Sequence, residues 1–160
     1  MHQLSPDDPN PAALAKLPES LRQLFAYWQG KRGDRAMPAR ADIDPSEIKA
    51  LLPYMILVDV VHGADAALDF VYRLVGTREV EIRGADPTGR RVAEAYHGPS
   101  AENAVGCYVQ VVEARAPLLD DEYFVRDGDR YADEANLFLP LSNDGEKVNM
   151  VLVFTAYRRL

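Results

Sequence analysis

The chain has 160 residues, of which 48% are hydrophobic, with a formal net charge of −7 and a single cysteine. This length and composition predict one globular domain with a substantial core. The acidic balance argues against nucleic acid as a direct partner, because no excess of Lys and Arg is present to neutralise phosphates. One cysteine excludes an internal disulfide and a multi-cysteine zinc site.

The first sixteen residues are mostly polar or small and contain three prolines. This composition predicts a disordered lead-in over residues 1–16, followed by a single domain over residues 17–160. The N-terminus lacks the basic-then-apolar pattern of a signal peptide. No apolar run reaches the roughly eighteen residues that span a bilayer. We therefore expect a cytoplasmic protein that does not contact a membrane.

Residues 17–29 predict an amphipathic helix, because large apolar residues recur at helical spacing. The residues on this apolar face are Leu17, Leu21, Leu24, Phe25 and Trp28. Such a short helix is marginal alone, so we expect it to dock. It can pack on its own sheet or on a second copy.

Residues 31–43 predict a polar loop, and its arginines Arg32, Arg35 and Arg40 are expected to be solvated. An anion or partner contact is the less favoured alternative. Asp44 and Pro45 then predict the start of a short helix that ends before Pro53.

Two strands are predicted next. Residues 54–61 are almost continuously apolar, and residues 68–75 alternate, with Phe70, Tyr72 and Leu74 on one face. Thr77 is a suitable cap for a short helical segment over residues 78–83. The DPTG sequence at residues 86–89 then turns the chain.

This region carries a family resemblance. The strings FVYRLVGT and GADPTGRRVAE resemble the second strand and short-helix region of a PAS domain, in the variant found as small standalone proteins in alphaproteobacteria. The upstream strings MPAR, DIDP and LLP match the same variant, and the resemblance covers residues 21–157. In PAS proteins, flanking helices often cover the outer face of the sheet and pair two copies. The resemblance therefore implies a homodimer with Leu21, Leu24, Phe25 and Trp28 in its interface.

Ser100 can cap a longer helix that Pro117 ends. Residues 118–126 and 130–141 predict strands on either side of a hairpin turn at Asp127 and Gly128. Depending on loop length, Arg126 would face Asp129 or Arg130. Residues 148–157 predict a last strand.

The last strand is apolar on both faces and should lie centrally, beside residues 54–61. The more polar strands, residues 68–75 and 118–126, should form the edges. We therefore predict an α+β fold, a PAS-like five-stranded antiparallel sheet with short helices on one face and an N-terminal amphipathic helix.

Known catalytic and metal-binding motifs are absent from the sequence. His97 is a weak candidate for a haem ligand and Cys107 for a flavin adduct; an exposed loop histidine and a buried helix cysteine are favoured. We expect no cofactor and a colourless protein. The acidic residues 120–122 are interpreted as charges that protect an edge strand.

The inward face of the sheet is the candidate for a ligand pocket. The residues predicted to line it are Phe70, Tyr72, Leu74, Tyr108, Phe138 and Met150. Such a pocket would bind a small apolar or aromatic ligand, or its own side chains would fill it.

The PAS resemblance implies a non-enzymatic sensor or adaptor in bacterial signalling. The chain ends at Leu160 without a kinase, cyclase or DNA-binding region, so its output is expected to pass through a signalling partner. The alternative is a small cone-shaped α+β enzyme with a polar pocket. That alternative requires an Asp-His or Tyr-Asp pair on the inward face.

Overall fold

An antiparallel sheet organises the computed structural model, which describes residues 1–126, 128 and 130–160. The helices are α1 (Glu19–Arg32), α2 (Thr77–Arg83), α3 (Val92–Ala95) and α4 (Ala101–Ala114). The strands are β1 (His2–Gln3), β2 (Met55–His62), β3 (Leu68–Val75), β4 (Leu118–Asp120), β5 (Phe124–Arg126), β6 (Tyr131–Leu141) and β7 (Met150–Arg159). Single 3-10 turns span Ala12–Leu14, Arg40–Asp42, Pro45–Glu47, Leu52–Tyr54 and Ala64–Ala66.

The sheet order is β1-β4-β6-β7-β2-β3, and β5 also pairs with β6. The predicted α+β fold is confirmed, including the contact between β2 and the last strand, β7, in the interior of the sheet. β3 lies at an edge, as predicted. The predicted strand over residues 118–126 is divided into β4 and β5, and β1 adds a strand outside β4. The sheet therefore has more strands than the five expected.

A bulge in the β2–β3 pair changes which side chains share a face. Leu57 lies opposite Leu74, but the next residue, Val58, lies opposite Tyr72. Arg73 is the extra residue, so Leu74 turns away from the face that carries Tyr72. The period-2 pattern predicted one face for both residues, and the bulge corrects that prediction.

Helix α1 packs on β6 and β7 of its own chain. Its residues Leu21, Leu24, Phe25 and Trp28 are each 0–1% exposed, and the Trp28 indole N–H donates a 2.9 Å hydrogen bond to the Pro140 carbonyl. These side chains have no surface left for a second copy. The prediction that they form a dimer interface is therefore corrected: the helix docks in cis.

The first sixteen residues pack on the domain, in contrast to the predicted disorder. Leu4 is 4% exposed and Leu14 is fully buried. The backbone N–H of Leu4 donates to the Pro117 carbonyl, and the Gln29 amide donates to the carbonyls of Pro6 and Asp8. A few apolar anchors and backbone hydrogen bonds hold a segment whose average composition favours disorder.

The predicted caps have mixed outcomes. Ser100 and Asp44 accept hydrogen bonds from the backbone N–H groups of Asn103 and Ser46, as expected of caps. Gly76, rather than Thr77, precedes the first turn of α2 as its N-cap. Pro53 lies inside a 3-10 turn of its own instead of ending a helix.

The β5–β6 hairpin forms as predicted, with Arg126 opposite Tyr131 rather than Asp129 or Arg130. Asp127 and Asp129 lie outside the described residues. Gly128 has a φ of +58°, a conformation that favours glycine.

Candidate functional site

A buried ion pair lies between α2 and the sheet. Glu79 and Arg83 are one helical turn apart, and the Nε of Arg83 donates a 2.7 Å hydrogen bond to Oε2 of Glu79. The Tyr157 hydroxyl donates a 2.6 Å hydrogen bond to the same oxygen. Glu79 is fully buried and the Arg83 side chain is 7% exposed. Helix α2 thus directs a charged pair into the core.

A second buried ion pair joins β5 to β6. Arg126 donates two hydrogen bonds to the carboxylate of Asp133, of 2.7 and 2.9 Å, and a third to the His97 carbonyl. Its guanidinium also lies 4.9 Å from the centre of the Phe124 ring. A bidentate pair with a further acceptor satisfies most donors of this buried arginine.

Arg83 and Arg126 differ in how many of their guanidinium nitrogens are hydrogen-bonded. Within the described part of the chain, the terminal nitrogens of Arg83 make no hydrogen bond, because its single bond to Glu79 uses Nε. Oε1 of Glu79 is buried without a hydrogen-bond partner among those residues, whereas the terminal nitrogens of Arg83 are not among the fully buried unpaired atoms. Buried polar groups are nearly always hydrogen-bonded in folded proteins, so this carboxylate oxygen marks a place where a water is expected.

The pKa of Arg83 reflects this environment. Burial by itself lowers the pKa, but the charge of Glu79, its hydrogen bond and the nearby tyrosine hydroxyls together more than offset burial, so the pKa lies above its ordinary value. Burial raises the pKa of the Tyr157 hydroxyl far above its ordinary value. Arg83 therefore stays charged and Tyr157 stays neutral over the physiological range.

A cavity of about 40 Å³ lies between α4, β4 and the inner face of the sheet, and Arg83 forms part of its wall. Its polar lining residues are Arg83, Tyr96, Ser100, Asn103, Asp120, Glu122 and Asn136. Pro99, Asn103 and Glu122 are exposed and mark the rim. A space of this size holds about three waters or one very small molecule. It does not fit flavin or haem, since pockets for larger ligands measure about 300–1,000 Å³.

Three aromatic side chains fill most of the space predicted as a pocket. The Tyr108 ring lies 5.3 Å from Phe70 and 5.2 Å from Phe138, centre to centre. Tyr72 is 2% exposed, and burial raises its pKa to about 12. Tyr108 and Phe138 also line the remaining cavity. The structure thus brings four of the six predicted residues to one face.

The other two predicted residues lie on the opposite face. Leu74 is 53% exposed and borders an outer hollow with Leu152. Strand alternation places Met150 on the same face as Leu152. The inner cavity is lined by polar and apolar side chains in similar measure.

Cys107 and His97 have different positions relative to the cavity. Cys107 lines it, and burial raises the pKa of its thiol to about 12, so the thiol is neutral. His97 is exposed, and it contributes its backbone carbonyl to Arg126. Among the described residues, no group of three or more His, Cys, Asp or Glu side chains could hold a metal ion.

The predicted loop arginines have partners within the domain. Arg32 pairs with Asp7, Arg35 pairs with Asp42 at 2.8 Å, and Arg40 donates to the Ile43 carbonyl.

The acidic residues 120–122 at the edge of the sheet do not all make the same contacts. Asp121 pairs with His2 and the N-terminus, whereas Asp120 and Glu122 line the cavity.

Sequence reasoning missed both buried ion pairs. Glu79 and Arg83 have the spacing of an ordinary solvent-exposed helix pair, and nothing local shows that α2 faces the sheet. The sequence contained one weak signal for a buried ion pair. Arg126 and Asp133 are charged residues at strand positions that the alternation of side chains assigns to an inner face. The enzyme alternative required an inward Asp–His or Tyr–Asp pair. Tyr157 donates a hydrogen bond to a glutamate, Glu79, and neither residue lines the cavity.

The chain folds as an antiparallel sheet with short helices over one face. A family model described as PAS domain matches residues 16–154. The chain therefore belongs to the PAS domain family, whose members are in general sensory and signalling modules that mediate protein interactions.

Solved structures with a similar fold include light-oxygen-voltage (LOV) proteins. A LOV protein of Rhodobacter sphaeroides is 12% identical, with a TM-score of 0.47, and the match covers 70% of this chain and 65% of that one. An RNA-binding light-oxygen-voltage receptor is 13% identical, with a TM-score of 0.45 and coverages of 74% and 35%. A fungal LOV domain photoreceptor is 13% identical, with a TM-score of 0.44 and coverages of 76% and 94%.

No curated protein matches the sequence. Across the described residues, no helix has both the length and the apolar character needed to cross a membrane.

Proposed function

We propose that this PAS domain is a sensor or adaptor in bacterial signalling. It binds a small polar ligand in the cavity beside Arg83 and passes the signal on through protein contacts. It acts in the cytoplasm and is not an enzyme.

The observation that carries this proposal is the state of Arg83. The Arg83 side chain is 7% exposed, its hydrogen bond within the described residues uses Nε, and it forms part of a cavity wall. A guanidinium has five N–H donors, and the hydrogen bond to Glu79 uses the one on Nε. Acceptor atoms of a ligand would bind donors on the terminal nitrogens. Ligand binding would therefore stabilise the contacts between α2, α4 and the sheet.

The output surface is supported by a separate feature. An apolar hollow of about 150 Å³ lies on the outer face, and its lining includes Ile43, Ile48 and Leu57. Exposed Leu74 lies at its border. An exposed apolar side chain beside an apolar hollow is typical of a protein contact site, and a second copy of the chain is the partner that we expect. Such a homodimer would not use the buried face of α1.

Native mass spectrometry of protein purified from its own host tests both parts, because it reports bound ligand and oligomeric state together. We expect a small polar molecule at stoichiometric occupancy in a dimeric species. A thermal-shift screen of small polar metabolites gives the second measurement, with Asn103→Ala at the cavity rim as the binding variant and Glu113→Ala, an exposed α4 residue outside the cavity lining, as its control. A monomer without ligand that no compound stabilises would contradict the proposal.

A further inference from the structure

We infer that a hollow at one end of the sheet is a second ligand site, which binds a phosphate monoester of a small aromatic molecule. The phosphate group lies at Arg78 and Arg159, and the aromatic ring lies against tyrosine side chains. This inference goes beyond the proposed function, because the hollow shares no lining residue with the cavity beside Arg83.

The hollow lies where the first turns of α1 and α2 meet the ends of β2, β6 and β7. Ser20 lines it from α1 and Arg78 from α2, while Tyr54 precedes β2, Tyr131 begins β6 and Arg159 ends β7. Its volume is about 390 Å³, within the roughly 300–1,000 Å³ of small-molecule pockets, and it opens to solvent. A cavity of about 150 Å³ already binds benzene, so this space accommodates a ring together with a phosphate group.

The hollow is positively charged on a protein whose net charge is −7. Arg78 and Arg159 line it, and no Asp or Glu side chain of the described residues does so. Arg159 is exposed, and its guanidinium has no partner among those residues. Arg78 pairs with Glu81, but both side chains are accessible to solvent, so this pair is weak and can be exchanged for a ligand. The local charge therefore favours an anion.

The hydrogen-bond donors suit a phosphate group, which has three strong acceptor oxygens. Arg78 donates a 2.7 Å hydrogen bond to Glu81 and a 3.2 Å hydrogen bond to the Tyr131 hydroxyl, and a guanidinium has five N–H donors in all. The Tyr131 hydroxyl accepts from Arg78 and has no acceptor for its own proton within the described part of the chain. Arginine and tyrosine donors from α2, β6 and β7 thus surround one space, and arginine–phosphate hydrogen bonds are strengthened by charge.

Tyrosine rings provide the apolar part of the hollow. The rings of Tyr54 and Tyr157 lie 6.1 Å apart, centre to centre, and the Arg78 guanidinium lies 5.9 Å from the centre of the Tyr131 ring. The Tyr157 hydroxyl is already bonded to Glu79, so this residue contributes its ring to the hollow. An aromatic ligand that packs on such rings gains about two- to tenfold in affinity from the ring contact.

The test is a titration of the full chain with phenyl phosphate, methyl phosphate, benzoate and phenol, followed by calorimetry and by backbone amide chemical shifts. We expect phenyl phosphate to bind about two- to tenfold more tightly than methyl phosphate, which lacks the ring. Benzoate has two acceptor oxygens and should bind more weakly than phenyl phosphate, and phenol has no charge and should not bind. The shifts should map to Ser20, Thr155 and Arg159.

Two variants remove the charges of the hollow one at a time. Arg78→Gln and Arg159→Gln should each weaken phenyl phosphate binding by about two- to fivefold, the range for an exposed charge pair. Arg158→Gln is the matched control, because Arg158 is also exposed but pairs with Glu134 at 2.5 Å and does not line the hollow. It removes the same charge from the same strand and should bind as the wild type does. Melting curves should be unchanged in all three, since these side chains are accessible to solvent.

Four results would overturn the inference. Equal losses in Arg158→Gln and Arg159→Gln would show a general effect of charge instead of a site. Methyl phosphate binding as tightly as phenyl phosphate would exclude the aromatic ligand, and benzoate binding as tightly would exclude the preference for phosphate. If no probe shifts the amides of the hollow, the site does not exist. None of these results bears on the cavity beside Arg83, so the proposed function stands or falls by its own test.

Discussion

At the scale of single residues, the importance of Gly76 depends on its position in the fold, which the sequence does not show. Gly76 ends β3 and precedes α2, and its N–H donates a 2.8 Å hydrogen bond to the Met55 carbonyl. A Cβ atom built on it would lie 2.4 Å from the Pro53 carbonyl oxygen and 2.6 Å from that of Leu52. Both atoms belong to the backbone, so a side chain cannot be accommodated by a rotamer change. The close approach fixes where α2, with Glu79 and Arg83, leaves the sheet.

Gly76→Ala should therefore lower the free energy of unfolding by about 1–3 kcal/mol, as an overpacked site does. Urea denaturation measures the change. Gly106→Ala is the matched control, because a Cβ at this exposed α4 residue meets nothing within 4 Å. It should stabilise the protein by about 0.5–1 kcal/mol through helix propensity. Equal midpoints for the two variants would show that the contact with Pro53 does not constrain the chain.

At the scale of elements, α1 has an apolar face that must pack against another surface. The periodicity of the sequence does not show which surface that is. The sequence left packing in cis and in trans open, and the PAS resemblance favoured a second copy. The structure buries the four side chains on β6 and β7, with the Trp28 indole hydrogen-bonded to Pro140. An amphipathic pattern shows that a face will be buried but not against which surface.

Trp28→Glu separates the two arrangements. Because Trp28 is 1% exposed within its own chain, a charge there should cost several kcal/mol and lower the melting temperature broadly. Gln23→Glu on the exposed side of α1 is the control and should change stability by less than about 0.5 kcal/mol. Sedimentation equilibrium alongside thermal melts reports the result. A variant with unchanged melting and a halved mass would instead show an interfacial helix.

At the scale of the whole molecule, the N-terminal segment belongs to the folded domain. Leu4 and Leu14 lie in the same hydrophobic core cluster as Trp28 and Leu139. The Arg22 guanidinium donates to the Leu14 carbonyl at 2.8 Å and to the Leu17 carbonyl at 2.6 Å, which fastens the segment to α1. The average composition of residues 1–16 predicted disorder. Two buried leucines and a few hydrogen bonds nevertheless hold this segment on the domain.

Leu14→Ala should lower the free energy of unfolding by about 2–5 kcal/mol, since the side chain is fully buried. Chemical denaturation gives the value. Lys16→Ala, two residues further on and exposed, is the control and should be nearly neutral. A disordered lead-in would instead make both substitutions neutral.

The sequence by itself determined the features that depend on local patterns. Continuous apolar runs identified β2 and β7 as neighbouring central strands, Ser100 and Asp44 identified two caps, and the motif around residues 70–77 identified the family. These signals are read within a few residues because they arise from side-chain periodicity and backbone chemistry.

Only the tertiary structure decided the features that depend on distant partners. One extra residue at Arg73 moved Leu74 to the outer face, and no local signal marks that bulge. The core-facing orientation of Glu79 and Arg83 follows from the way Gly76 lets α2 leave the sheet, and the cavity follows from the packing of α4 above β4. A charged pair at helical spacing is normally solvated. Whether it is buried depends on which surface the rest of the chain places over it, and that is settled only when the whole chain has folded.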